Sequence, residues 1–259
     1  MKIPYYHIDA FTSVPFTGNP AGVCPLESWL PDATMQKIAA ENNLSETAFF
    51  VPAGDHYDLR WFTPAIEIDL CGHATLASGF VLTQYLGYTD NVIRFESKSG
   101  SLLVERQGDI LTLDFPSRPG EKRSTPDALV NGLGRPPQEV YLARDYLAVF
   151  PSQADILAIQ PDQEQLVLLE ALGIIVTAPG EGVDFVSRFF APRAGIAEDP
   201  VTGSSHCTLI PYWAKRLGKT KLTARQLSAR GGELFCSLVG ERVKIGGQAV
   251  TYLKGELEV

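Results

Sequence analysis

Arg60-Trp61-Phe62-Thr63-Pro64 and Arg188-Phe189-Phe190-Ala191-Pro192 are two versions of one pattern, and that pattern decides the architecture. Each precedes a glycine that opens an apolar stretch: Gly72-His73-Ala74-Thr75 in one case, Gly203-Ser204-Ser205-His206 in the other. From there the spacing holds. Gly72 stands 15 residues before Gly87, and Gly203 stands 15 before Gly218. Gly100 and Gly232 then fall in matching β-patterned stretches, followed by Gly108 and Gly240. Upstream, Pro31-Asp32 and Pro161-Asp162 each start a helical pattern. Repetition at this many glycine and proline positions reads as two halves of similar architecture. Pro, Arg, Gly, Lys and Ser cluster between 116 and 126, which marks the junction.

Within the first half, residues 3–10 and 21–25 read as strands and 32–42 as a helix with Met35, Ile38 and Ala39 on one face. Strands follow at 47–51 and 57–62, then a helix at 73–86 and strands at 92–97, 102–106 and 110–115. The second half reads similarly: strand 146–150, helix 162–172, strands 174–177 and 183–190, helix 204–217, strands within 226–246. The 73–86 helix is apolar nearly all round, so strands must wrap it. Pro211 in its counterpart removes a helical hydrogen bond and predicts a kink. The fold class is therefore α+β, a helix inside a rolled sheet, twice over. Residues 74–86 and 205–217 are the expected central helices.

The 259-residue chain carries 22 Lys+Arg against 30 Asp+Glu, a net charge of -8, with 45% hydrophobic residues. That composition is globular rather than disordered. An acidic balance without a basic run argues against nucleic acid or an anionic membrane as partner. No apolar run reaches the length of a membrane-spanning helix, and the opening residues do not read as a signal peptide. The four cysteines are scattered with no CxxC, so neither a disulfide scaffold nor a metal site is expected, and the setting reads as a reducing cytoplasm.

The matched helix starts are the chemical clue. Unpaired backbone N–H groups and the positive end of a helix dipole make each an anion site. Glu198-Asp199-Pro200-Val201-Thr202-Gly203-Ser204 adds an acid and hydroxyls at one, and Asp69-Leu70-Cys71-Gly72-His73 flanks the other. Plain capping by Ser204 or Thr202 accounts for the same residues. The acids break the symmetry. Glu46, in Leu44-Ser45-Glu46-Thr47-Ala48-Phe49, falls opposite Val176 when counted from the two Pro-Asp starts, so it exists in one half only. Beside Phe49 and Phe50 it can be partly desolvated, which raises a carboxyl pKa towards the range of a general acid/base. An ordinary surface glutamate is the other reading of that residue.

Asn43-Leu44-Ser45-Glu46-Thr47-Ala48-Phe49, Cys71-Gly72-His73-Ala74-Thr75 and Glu198-Asp199-Pro200-Val201-Thr202-Gly203-Ser204 resemble the signatures of the PhzF (phenazine biosynthesis-like) family. His7-Ile8-Asp9-Ala10-Phe11-Thr12 and the stretch from Phe16 to Val23, with Asn19 in it, resemble the family's opening. The resemblance implies a diaminopimelate-epimerase-like fold: two similar domains, each a β-barrel around a central helix, with the active site between them. It implies domains at 1–115 with a C-terminal strand at 249–259, and at 116–248. It also implies a cofactor-independent isomerase, usually a homodimer. Glu46 matches the family's catalytic acid/base, and His73, Asp199 and Ser204 match its supporting residues. The N–H groups of Gly72, His73, Gly203 and Ser204 match its substrate-carboxylate cradle, with Asn19 among the binding residues. In the family's phenazine enzyme the glutamate moves a proton within a dihydro-hydroxyanthranilate ring. The motif does not fix the substrate, and the chain is short between 116 and 190.

Epimerases of the related fold use two facing thiols. Cys71 precedes its glycine whereas Cys207 lies one turn inside its helix, so they do not form a symmetric pair. The leading expectation is an isomerase of a small carboxylate-bearing substrate, with Glu46 and Asp199 lining one cleft. A two-base racemase or epimerase, and a non-catalytic binding protein that keeps the cleft, are the alternatives.

Overall fold

The computed structural model describes all 259 residues, and contacts divide them into two units: Met1–Asp114 with Gly246–Val259, and Phe115–Ile245. In the first, β1 (Lys2–Ala10) pairs antiparallel with β2 (Asn19–Pro25) and, on its other edge, with the C-terminal strand Ala249–Glu258. The chain crosses over through α1 (Asp32–Asn42) to β3 (Glu46–Ala53), parallel to β2. β4 (His56–Phe62) runs antiparallel to β3, and the short β5 (Glu67–Ile68) adds to β4. After α2 (Gly72–Tyr85), β6 (Val92–Ser97) lies parallel to β4. β7 (Gly100–Gln107) and β8 (Ile110–Pro116) complete the roll as antiparallel neighbours.

The second unit comprises β9 (Glu121–Lys122), α3 (Asp127–Leu133), β10 (Glu139–Leu142), β11 (Tyr146–Val149), α4 (Gln153–Ala158) and α5 (Gln163–Leu166). β12 (Ile174–Pro179), β13 (Phe185–Phe190), α6 (His206–Leu217), β14 (Lys221–Gln226), β15 (Gly232–Val239) and β16 (Arg242–Gly247) follow. From β10 onward its pairings repeat those that start at β1. β10/β11 is antiparallel, β11/β12 parallel, β12/β13 antiparallel, β13/β14 parallel and β14/β15 antiparallel. The helices occupy the same intervals, α2 and α6 each falling between the strands of a parallel pair. This is the α+β architecture that the repeat predicts.

Both central helices are explained by their sequences. α2 buries every residue from His73 to Gly79 and also Val81 and Leu82, against β1, β2, β3, β7 and the C-terminal strand. Each fully buried leucine or valine there contributes about 2 kcal/mol. Gly79 sits where a Cβ would come 3.1 Å from Val104 Cγ1, so any larger residue in mid-helix would require Val104 to give way. α6 packs on β14 and β15, with Trp213 stacked on Phe185 and donating Nε1–H to Thr177 Oγ1 at 3.0 Å. The helix runs on through Pro211. The carbonyl that Pro211 cannot serve belongs to Cys207, and the backbone N–H of Arg118 donates to it at 2.8 Å.

The repeated motif is structural. Arg60 grips Glu67 through Nε and Nη2 and lies over Phe62, while Arg188 does the same with Glu198 and Phe190. The motif also fixes the register and corrects one alignment. Thr47 faces Phe62 and Ile174 faces Phe190; Phe49 faces Arg60 and Val176 faces Arg188. Val176 is therefore the counterpart of Phe49, and Glu46 corresponds to Gly173, not to Val176. Counting from the Pro-Asp starts misses by three because the crossovers are built differently, one helix in α1 against two short ones in α4 and α5. Gly173 has no room for a side chain, since a Cβ would run into the Phe189 ring.

Other expectations differ locally. The helix expected over 162–172 stops at Leu166. Asp162 caps its start, but Leu168 and Leu169 bond three residues back to Gln165 and Leu166, and the chain turns out towards Gly173. α3, α4 and β10 were not read from the sequence. α6 begins as a 3-10 turn, Gly203–Ser205.

Candidate active site

The first cluster forms at the head of β3. α1 ends on Asn43 in the left-handed conformation (φ 49°), and the reversal delivers Glu46 as the first residue of β3, beside Ala21 of β2. Glu46 is buried at 9% exposure. Its Oε2 lies 3.2 Å from Nε2 of His73, the second residue of α2, without hydrogen-bond alignment between the two atoms. On the other side of the ring, His73 Nδ1 lies 3.3 Å from Asn19 Nδ2 and 3.5 Å from Cys71 Sγ. Burial pushes the His73 pKa down to about 4, the Pro20 backbone pulling weakly the other way. The ring is neutral at pH 7, so its contact with Glu46 is not an ion pair. Sequence reasoning placed Glu46, His73 and Asn19; it did not place Cys71 against the imidazole. Glu46, Cys71 and His73 present carboxylate, thiol and imidazole donors within 4.8 Å of one another, a set that zinc accepts.

The second cluster lies on the Glu198–Ser204 loop. Asp199 Oδ2 accepts from Thr202 Oγ1 at 2.5 Å. Gln226, fully buried, clamps the loop by donating to the Asp199 carbonyl and accepting from Thr202 N–H. His206 Nδ1 contacts the Thr202 carbonyl at 2.9 Å, and burial lowers its pKa to about 4. Ser204 is half-buried and accepts a hydrogen bond from Arg144 Nη2 at 2.9 Å. Neither Gln226 nor Arg144 was singled out from the sequence. A buried glutamine carries no local signal; the Arg144-Asp145 pair directly before an apolar strand was the available one for the arginine.

The capping reading of the two helix starts is not realised. No side chain caps α2 at Cys71, and neither Thr202 nor Ser205 caps the α6 start, so the first-turn N–H groups take no side-chain acceptor. Uncapped by side chains, both starts retain the N–H groups and dipole end that favour an anion.

A match to the family model of phenazine biosynthesis-like proteins spans residues 8–255. This chain belongs to the PhzF (phenazine biosynthesis-like) family. It is 51% identical over 259 residues to an uncharacterized isomerase of Pseudomonas aeruginosa, covering all of both chains. A PhzF-family crystal structure from Enterococcus faecalis superposes with a TM-score of 0.99 at 50% identity, again over all of both chains. A hydroxyproline epimerase from Agrobacterium vitis, with trans-4-hydroxy-L-proline bound, shares the fold at TM-score 0.63 and 12% identity, over 99% of this chain and 92% of that one. As a PhzF-family member with relatives named isomerases, the protein is isomerase-like. No helix is long and apolar enough to cross a membrane.

The thiols can now be weighed for this PhzF-family chain. None of the four forms a disulfide, and all are buried. Burial raises the Cys207 pKa to about 11 against the opposing pull of Arg118 and Arg144, so it is a protonated thiol at neutral pH. His7 packs edge-on to Tyr252 and His56 pairs with Asp55, both away from either cluster's contacts.

The two buried imidazoles predict acid sensitivity. Their folded pKa values, about 4, lie below the usual 6.5. Above pH 6.5 both states leave the rings neutral; as pH falls towards 4 the unfolded chain takes up protons that the folded one refuses. Stability is therefore full above 6.5 and falls between 6.5 and 4, by about 3 kcal/mol for each histidine. Urea denaturation across that range measures it. His206→Asn should remove about half of the slope, and an unchanged slope would refute the assignment.

Proposed function

We propose that the protein is a cofactor-independent isomerase of a small carboxylate-bearing metabolite, with Glu46 moving the proton. The observation that carries this reading is the buried Glu46 carboxylate 3.2 Å from a neutral His73, with Gly173 at the register-equivalent position. One half carries a carboxylate at this position and the other carries none there.

As a carboxylate, Glu46 takes a proton from a carbon made acidic by an adjacent carbonyl or vinylogous group. The C–H electron pair enters the conjugated system, Glu46 becomes the acid, and it returns the same proton to another carbon. His73, held by Asn19, orients Glu46 and the substrate's polar group. Helix-start N–H groups of Gly72, His73, Gly203 and Ser204 bind the carboxylate and the enolate-like charge, with Asp199 positioning. The likeness in fold to an epimerase that holds an amino acid supports a small carboxylate as ligand. The family resemblance adds a homodimer as the working form, and the scattered cysteines favour a reducing cytoplasm as its setting.

Mass spectrometry of metabolites retained on the native protein supplies the substrate. The test is that compound deuterated at the reacting carbon. Because a shielded carboxylate can hand the label on before it exchanges, part of the deuterium should appear at the new position. Complete washout into solvent, with inversion at a single carbon, would establish two-base racemisation instead.

A further inference from the structure

The residue that sequence reasoning passed over, Arg144, is held in an unusual way. It lies two residues before β11, and its Nε donates to both oxygens of Asp145, at 3.3 and 3.1 Å, and Nη2 to Oδ2 at 2.7 Å. The Asp145 side chain is 2% exposed and that of Arg144 31%. Nη2 also donates to Ser204 Oγ at 2.9 Å, and Nη1 donates to no protein group. A guanidinium keeps its protons at any working pH, so Ser204 Oγ can only accept from it. The hydroxyl proton of Ser204 has no protein acceptor and is left for a ligand oxygen. The first half holds the corresponding residue in the same manner: Asn19, at the head of β2, contacts His73, the residue after that helix-opening glycine. There the ligand-side residue is held by a neutral amide; here it is held by a cation.

We propose that Arg144 is a positioning residue for a carboxylate ligand. Anchored by Asp145, it turns the Ser204 hydroxyl proton outward, towards the ligand. This rests on the reading of Gly203 and Ser204 as carboxylate binders. It makes Ser204 an obligate donor, selective for an anionic oxygen over an N–H group.

The probe is benzoate, titrated by NMR line broadening. Arg144→Gln alone would strand the buried Asp145 carboxylate and risk misfolding, so the paired variant Arg144→Gln/Asp145→Asn is used, with melting temperature as the folding control. Affinity should fall about tenfold or more in the pair and in Ser204→Ala, as for loss of a hydrogen bond to a charged group. The triple variant should bind no more weakly than Ser204→Ala, because Arg144 acts through the serine. Arg216→Gln, whose partners are Glu139 and Tyr212, should bind benzoate like the parent. Parent-like affinity in the pair, or losses that multiply in the triple variant, overturns the role of Arg144 alone. Failure of the parent to bind benzoate overturns the carboxylate-binding reading and this inference with it.

Discussion

Glu46→Gln should lose about 10²–10⁴-fold in turnover, the range that a general acid/base supplies. The change keeps the side chain's volume at a buried position and removes only the ability to carry a proton, so the fold should survive it. A neutral imidazole faces Glu46, and an amide can meet that ring as donor or acceptor. Cys207→Ser should be nearly neutral by comparison, because that thiol is protonated and buried. Cys71→Ser, which keeps a hydrogen-bonding atom near His73, should also be mild. The measurement is turnover and melting temperature on the same preparations. A Glu46→Gln protein retaining more than a tenth of parental turnover would remove the single-base mechanism; loss in Cys207→Ser would point to thiol chemistry.

The largest stability effect should come from Arg188→Ala. The Arg188 side chain is 11% exposed and that of its partner Glu198 is 25% exposed. Beyond that pair, Nη1 donates to the carbonyls of Ile156 and Ile159, at 3.1 and 2.8 Å, where α4 ends. Removing the guanidinium strands a carboxylate and the Ile159 carbonyl at once, and leaves the Ile156 carbonyl only the Ile159 N–H. The expected cost is about 3–5 kcal/mol, in the range for breaking a buried ion pair. Arg60→Ala is the internal control: it loses a bidentate glutamate and Asp32 but leaves no carbonyls behind, and should cost less. Urea midpoints of the two variants decide it. An Arg60→Ala protein as unstable as Arg188→Ala would mean that the carbonyls contribute nothing.

What could be read from the residues, and what could not, follows from how far each signal reaches. The two-part fold was legible because Arg-x-Phe-x-Pro and the glycine spacing recur, and each motif proved to place an arginine over an aromatic ring and against a glutamate. Glu46, His73 and the Asp199–Ser204 loop were legible because they sit in contiguous motifs. α3, α4 and β10 are too short for periodicity to register: seven, six and four residues. The counterpart of Glu46 was misassigned because counting through a crossover assumes equal length, whereas strand register measures it. Gln226 and Arg144 act across sequence separations of 24 and 60 residues, which only tertiary structure reveals.

Gly173 carries a consequence for how this protein can change. It occupies the position, equivalent to Glu46, at which a second carboxylate would sit if the halves were chemically alike. With the Phe189 ring occupying the space where its side chain would begin, no single substitution at 173 can install a carboxylate there. Phe189 would have to shrink first, and that step alone would open a hole in a packed barrel. A route to a carboxylate at both register-equivalent positions therefore passes through a destabilised intermediate, so the difference between the halves at this position is held in place by packing, independently of any selection on the chemistry.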